Sequence, residues 1–597
     1  MVGGPDQLSW YCSCKMSPRS QVPLAAAATQ KIESVRTTKK GPLIPYHVVL
    51  SVIFSVGLIS AAFATISDCD EVFNYWEPTH YLSYGDGLQT WEYSPVYAIR
   101  SWLYVGVHSL LTLPFSLVPN IQKYHIFFIL RAILAGIGSV SQAELYDALS
   151  RSVDPEVGLF FILISVPSAG MFQAIPAYLP SSFAMYFVMF GIAEFLKTPV
   201  FLSRAITYFA VAGLLGWPFC LALVVPQLLL WGFDDGRARG SINMVRRMAC
   251  SVFSPLIVLA IVIGADSLAY RKPVFVPLNI ILYNVFGGSE RGPNLYGTEP
   301  WWYYIANLSL NFNIMAVAAL ASILVLAITS VILSTGVTRL QFVLLLPFYL
   351  WFGIFSLQPH KEERFMFPAY PALCINAAMS MSWVKGLILF SGTKLKIQAK
   401  VASALGTSLI AGVLAMSALI STSRTVAIIT AYSAPQTIYR SDQNISGNVC
   451  FGKEWYRFPS SYFLPSGARP RFIKSAFTGL LPGAFEETNT PFRDGTWIVP
   501  QNMNDLNQED YSKYTPIGEC DYLVDSYFSS TGRQAESLEP NYILDAENWD
   551  RVTCHRFLDA AQTPFLSRAL WLPSLAYEDQ RVWGEYCILK KKQNRVT

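Results

Sequence analysis

FSLQPHKEERFMFPAYP, residues 355–371, sets five consecutive ionisable side chains, His360, Lys361, Glu362, Glu363 and Arg364, between two apolar runs, each long enough to enter a lipid bilayer. With both runs as membrane spans, the charges form a turn at the membrane edge and the chain is polytopic. The composition agrees. The 597 residues are 52% hydrophobic and only 14% charged, too apolar for a soluble enzyme. A formal net charge of +4 is modest and gives no case for nucleic acid as a partner; the placement of the Lys and Arg matters more than their sum.

Working outward, hydropathy marks clear spans at 45–66, 206–231, 246–265, 314–334, 338–356, 365–387 and 401–420. Less clear runs at 97–118, 125–146, 156–174 and 179–196 bring the expected count to about eleven. Residues 1–44 are basic and lack an apolar signal region, so they read as a disordered cytosolic tail before an uncleaved anchor. Basic loops at 232–247 and 391–400 belong on the same side by the positive-inside bias. Loops 67–95, 266–313 and 357–364, with everything after residue 421, then share the opposite, lumenal face. Residues 45–420 are the expected transmembrane catalytic domain.

After residue 421 the long apolar runs stop, and the chain reads as a lumenal C-terminal domain of mixed α/β type. Apolar alternation in GTWIVP (495–500), CDYLVDSYF (520–528) and WGEYCILK (583–590) suggests strands. The ten cysteines include no CxxC pair and no zinc spacing. Cys450, Cys520, Cys554 and Cys587 fall in this domain, where an oxidising lumen would allow disulfides. Asn444 begins a glycosylation sequon that fits this placement; Asn307 begins another at a span edge.

Loop 67–95, SDCDEVFNYWEPTHYLSYGDGLQTWEYSP, contains Asp68, Asp70, Glu71, Glu77, Asp86 and Glu92, many aromatics, and no Lys or Arg. Aromatic faces pack on the C–H faces of sugar rings, and carboxylates bind hydroxyls or take their protons. The plain alternative is an interfacial aromatic belt, but the absence of basic residues and the acids clustered past the first span favour sugar chemistry. Asp68 and Asp70 also spell DxD, which can hold a divalent ion. With no nucleotide-binding domain in the chain, a general base is preferred. No metal ligand is assigned, no cofactor is required, and assistance by a divalent metal is left open. Across the membrane edge, His360, Lys361 and Arg364 would hold an anion, while Glu362 and Glu363 orient them or touch hydroxyls. The plain reading of this turn is a solvated linker; its charge density so close to hydrocarbon argues for use.

DCDEVFNYWEPTHYL (68–82), TWEYSPVYAIRS (90–101), HKEERFMFPAYP (360–371), GMF (170–172) with YLPSSFAMY (178–186), and GWPF (216–219) together resemble the endoplasmic reticulum mannosyltransferase family that uses dolichyl-phosphate mannose. The resemblance extends over nearly the whole chain beyond its first 44 residues. It implies a type C glycosyltransferase fold in the endoplasmic reticulum membrane with a lumenal active site. It also implies dolichyl-phosphate mannose as donor, a dolichyl-diphosphate oligosaccharide as acceptor, and α-1,2 linkages in N-glycan precursor assembly. The donor is β-linked, so an α product requires inversion. Asp70 is the expected base with Glu71 as the near alternative, and Arg364 with Lys361 or His360 would bind the donor phosphate. Asp68, Trp76, Glu77, His80, Glu362 and Glu363 would shape the acceptor site or the loop. Arg131, inside a proposed span, binds lipid phosphate or, preferably, snorkels to the interface. Trp301 and Trp302 lie at the interface or against sugar. Alternatives are a glycolipid-anchor mannosyltransferase of the same family or, from another class, a lipid flippase or transporter. The latter predicts facing charges within spans and internal two-fold repetition, neither of which the sequence displays.

Overall fold

The computed structural model describes residues 41–287, 291–334, 336–440, 445–529, 538–572 and 580–592. The basic tail up to residue 40 and Asn444 lie outside the described residues. From Pro42 onward the chain forms a single unit in which helices come first and a sheet last.

Among the described residues, seven helices are long and apolar enough to cross a membrane: Tyr46–Phe63, Lys123–Ser152, Pro218–Arg239, Ser241–Tyr270, Arg339–Leu357, Glu363–Lys394 and Ala399–Tyr432. Ile314–Leu320 and Ser322–Ile332, bent by 63°, make an eighth if taken together. Leu256, Ile257, Ile261 and Leu268 stand exposed along Ser241–Tyr270, an apolar surface of the kind a bilayer covers.

The helix lengths depart from a count of eleven full spans. Pro155–Ser165, Pro180–Leu196, Leu202–Gly216 and Val276–Phe286 have 11–17 residues, fewer than the roughly 20 that a hydrocarbon core of about 30 Å takes at 1.5 Å per residue. The run 97–118 yields one 15-residue helix, Trp102–Ser116. The run 206–231 breaks where the π-helical turn Ala212–Gly216 meets Trp217-Pro218, because proline has no N–H to continue the ladder. That break turns the Trp217 ring onto Trp351 and Phe365, with centroids 5.6 and 5.3 Å away. Segment 266–313, expected as a loop, carries the helices Val276–Phe286 and Tyr303–Phe312.

The C-terminal part holds a five-stranded mixed sheet. Numbering strands along the chain, β1 is Leu88–Gln89, β2 Gly447–Phe451, β3 Ala468–Phe472, β4 Gly483–Ala484, β5 Tyr522–Tyr527, β6 Trp549–Leu558 and β7 Trp583–Lys591. The order is β3-β2-β5-β7-β6, parallel among the first three and antiparallel beyond. Two disulfides, Cys450–Cys520 and Cys554–Cys587, use all four cysteines of this domain. Two of the three expected strands form, as β5 and β7. GTWIVP does not pair: Thr496 instead donates to the Ala269 carbonyl at 2.7 Å, and Trp497 takes the Arg271 guanidinium on its face. Its alternation serves docking onto a helix end.

The sheet domain is tied to the first loop. β1 pairs antiparallel with β4. Gly85, at φ 82°, ends the helix Glu77–Tyr84 in the left-handed conformation, and a Cβ there would lie 2.0 Å from the Thr488 carbonyl oxygen. Trp301 and Trp302 are exposed, as interfacial residues would be. The Asn307 amide is engaged with Glu363.

Candidate active site

After the first helix the chain runs extended through Ala64 to Asp68, whose side chain accepts from the Asp70 N–H at 2.9 Å and caps the turn Cys69–Glu71. This cap turns Asp70 outward and Glu71 inward. Asp70 faces a cavity of about 520 Å³ that is also lined by Glu92, Arg100, Trp217, His360 and Arg364. Parts of loops 67–95, 266–313 and 357–364 and of the C-terminal domain, through Trp455 and Phe477, share this one cavity. The segments assigned to a common face by charge thus meet at one site.

Two guanidiniums and four carboxylates organise it. Arg364 Nη2 donates to Asp70 Oδ2 at 2.6 Å, Arg364 Nε lies 3.0 Å from Asp68 Oδ2, and Arg364 also pairs with Glu362. Arg100 grips Glu92 through two hydrogen bonds of 3.0 and 2.7 Å, donates to the Tyr75 hydroxyl at 2.9 Å, and approaches Asp70 to 3.9 Å. Residues 68–70 and 360–364, almost three hundred positions apart, are therefore joined by direct ion pairs. His360 closes the edge, with Nε2 2.8 Å from Glu362 Oε1 and Nδ1 2.8 Å from the Gly297 carbonyl.

Burial sets the charge states. Burial raises the Asp68 carboxyl to about 7, helped by Glu362 and Asp70 and opposed by Arg364. Burial would raise Glu362 as well, but Arg364 and His360 overcome it and bring Glu362 down to about 2. Burial alone would lower His360; its bond to Glu362 reverses this and raises it. Arg100, despite burial, is raised by Glu92, Tyr75 and Asp70 and stays charged.

Several expected site residues point elsewhere. Glu71 is buried, accepts from Trp76 Nε1 and from the Tyr178 N–H, both at 3.0 Å, and is raised by burial against the pull of Arg131. It does not line the cavity that Asp70 faces. Trp76 packs on Phe127, Tyr178 and Tyr462. Glu77 accepts from Ser460 Oγ, Ser461 N, Ser461 Oγ and Leu88 N, fastening the loop to the sheet domain. His80 sits between the Asp86 carbonyl at 2.7 Å and Lys123 Nζ at 3.1 Å. Lys361 directs its ammonium to the Glu299 and Gln358 carbonyls and does not line the cavity, so it is not paired with Arg364 as a phosphate ligand. Glu363 is held by Asn307 and Asn311 on the far side of the turn. Arg131 does not snorkel: it is buried, and Nη2 donates to the Ala64 carbonyl at 2.8 Å, supporting the chain just before Asp68.

Arg100, Glu92 and Tyr75 are the site residues that sequence reasoning left unassigned. Arg100 is the first base after an acidic loop without any, which marks it as the natural counter-charge.

Among the described residues, a divalent ion has one candidate position. Ligand atoms of Asp68, Cys69 and Asp70 lie within 4.8 Å of one another. Both carboxylates already face the Arg364 guanidinium, which meets the electrostatic demand an ion would meet.

The Alg9-like mannosyltransferase family model matches residues 48–465. Alpha-1,2-mannosyltransferase alg9 of Schizosaccharomyces pombe is 38% identical over 92% of this chain and 95% of its own length. Alpha-1,2-mannosyltransferase ALG9 of Homo sapiens is 37% identical over 91% of this chain and 88% of its own. A solved structure, ArnT from Cupriavidus metallidurans bound to undecaprenyl phosphate, overlays at TM-score 0.45 and 12% identity, covering 90% of this chain and 97% of that one. With acid and guanidinium converging in one cavity and a family match over most of its length, the chain belongs to the Alg9-like mannosyltransferase family.

Proposed function

We propose that the chain transfers mannose from dolichyl-phosphate mannose to the 2-hydroxyl of a mannose on a dolichyl-diphosphate oligosaccharide, forming α-1,2 linkages in N-glycan precursor assembly. The observation that carries this reading is the 2.6 Å contact between Asp70 and Arg364, an anion and a cation brought from distant segments into one cavity.

The acceptor O2 attacks the anomeric carbon as the bond from that carbon to the phosphate oxygen breaks. The electron pair of the breaking bond leaves on dolichyl phosphate, and the acceptor proton passes to Asp70. One displacement inverts the donor β configuration to α. Positive charge developing on the sugar ring is stabilised by the surrounding carboxylates. Negative charge on the departing phosphate is met by Arg364, supported by Arg100 and by His360 when protonated. The tight carboxylate contacts hold both guanidiniums in place before substrate arrives, so little reorganisation accompanies the reaction. Two protein cations at the leaving group make a metal dispensable in this scheme, and no cofactor is needed. The two disulfides support an oxidising compartment, and with the cavity beside that domain the active site is assigned to the lumenal face of the endoplasmic reticulum membrane.

The test is transfer by the purified enzyme in micelles, with radiolabelled dolichyl-phosphate mannose and a truncated dolichyl-diphosphate acceptor. The expected product is sensitive to an α-1,2-specific mannosidase, and its yield is unchanged by EDTA. A product resistant to that mannosidase overturns the linkage, loss of transfer in EDTA overturns the metal-free scheme, and movement of the lipid across the bilayer without transfer, when the same enzyme is reconstituted in vesicles, favours a flippase.

A further inference from the structure

A second cavity of about 300 Å³ lies behind the wall formed by Ser67 and Glu363, each the chain neighbour of a residue in the Asp68–Arg364 pair. Its polar lining includes Gln173, Glu363, Arg424, Gln436 and Arg457, with Tyr456 and Phe557 as aromatic surfaces. The function proposed for the first cavity makes no use of it.

Two features point to a ligand. Both amide atoms of Gln173 and Nε of Arg424 are buried without a hydrogen-bond partner among the described residues. Buried polar groups are nearly always satisfied, so unmet groups lining a cavity mark where a bound molecule, an ordered water or a ligand hydroxyl, supplies the missing bonds. The charges, by contrast, are already balanced. Arg457 is held by Glu454 at 3.0 and 2.8 Å, and Arg424 faces Glu363, which Asn307 and Asn311 hold in place. A phosphate or diphosphate needs surplus positive charge, and this cavity offers none. A neutral ligand rich in hydroxyls suits it: an amide that both donates and accepts, a carboxylate that accepts and a guanidinium that donates. The Arg457 guanidinium is sandwiched near the Tyr456 and Phe557 rings, 4.4 and 4.8 Å from their centroids, which fixes that side of the cavity.

We propose that the second cavity binds a non-reacting sugar of the acceptor glycan, with Gln173 and Gln436 as specificity-determining ligands. This rests on the mannosyl-transfer reading of the first cavity. It makes acceptor choice depend on a sugar remote from the hydroxyl that reacts, read on the opposite side of the same wall.

The test compares full-length wild type, Gln173→Leu and Gln436→Leu in micelles, with dolichyl-phosphate mannose and two synthetic isoprenyl-diphosphate acceptors. One is linear and carries the reacting mannose alone, with no non-reacting mannose; the other carries a branched oligomannose with the same end. Loss of one or two neutral hydrogen bonds is expected to raise KM for the branched acceptor roughly tenfold at unchanged kcat, with the linear acceptor unaffected. Equal losses on both acceptors, or no loss on either, overturn the proposal; Gln436→Leu carries the test if Gln173→Leu fails to fold. In a second arm the enzyme is placed in vesicles with and without anionic phospholipid. Stimulation by anionic lipid that Arg424→Gln abolishes assigns the cavity to a lipid headgroup and overturns the sugar reading. Wild type that transfers to neither acceptor contradicts the mannosyl-transfer reading itself, a different failure.

Discussion

Asp70 and Glu71 are adjacent in sequence and opposite in circumstance. Asp70 looks into the cavity and touches two guanidiniums; Glu71 looks into the protein and accepts from an indole and a backbone N–H at one oxygen. The same division runs through the turn, where Arg364 faces the cavity and Lys361 bonds carbonyls behind it. Charge at a membrane edge therefore serves two ends. One set of groups lines the cavity, and the other pins the loops that carry the first set.

The contrast breaks most visibly at the first pair. Asp70→Asn should reduce kcat by about 10²- to 10⁴-fold, the range for loss of a general base, with thermal stability and abundance unchanged. Glu71→Gln should do the reverse, lowering the unfolding temperature while the surviving enzyme keeps most of its rate. Transfer rates normalised to folded protein separate the two, and an inactive, stable Glu71→Gln would exchange the roles. At the turn, Arg364→Lys retains charge but loses the planar fork, and a fall of roughly 10²- to 10³-fold in transfer is expected. Lys361→Met should stay within a few-fold of wild type in the same assay, because its ammonium only joins two carbonyls.

The inward set has its own measure. Glu77→Gln leaves a buried amide among four groups that donate to the carboxylate, and should cost about 1–3 kcal/mol of stability. Thermal unfolding in detergent reads this as a lower midpoint, with KM for the donor unchanged. An unaltered midpoint would show that the loop does not depend on this fastening.

The smallest effect concerns pH. Asp68 is raised to about 7, so below that pH it keeps its proton and the cavity carries one negative charge fewer. Donor KM should rise a few-fold as pH climbs through about 7, and Asp68→Asn should flatten the profile. Linkage has the same sign: a carboxyl raised in the folded state favours folding at low pH, and that contribution is lost as pH rises from its ordinary range through 7. A KM independent of pH in wild type removes Asp68 from the account.

The meeting of the two charged segments was legible in the sequence, and the illegible part has physical causes. Charges at span ends and the long shared motifs brought 68–70 and 360–364 together, because a bilayer restricts where ionisable groups can sit. The direction of each side chain was not legible. In the short 3-10 segment Glu363–Ala369 and the turn before it, one residue of rotation decides between cavity and wall, so Lys361 and Arg364 read alike. Glu71 was hidden by its neighbour for the same reason. Arg100 escaped notice because its partner Glu92 lies in a loop without helical periodicity. Hydropathy located the apolar runs but not their breaks: Trp217-Pro218 interrupts one run to put an indole beside the turn. GTWIVP alternates like a strand, yet its partner is a helix end, a tertiary contact that alternation does not encode.

The central claim is that Asp70 and Arg364 act on one reacting centre. A double-mutant cycle on kcat for Asp70→Asn and Arg364→Lys tests it most directly, since groups that act as a unit lose far less together than the product of their separate losses. The account predicts a double variant scarcely slower than the slower single variant. Losses that multiply in full would contradict it and place the two residues at independent tasks.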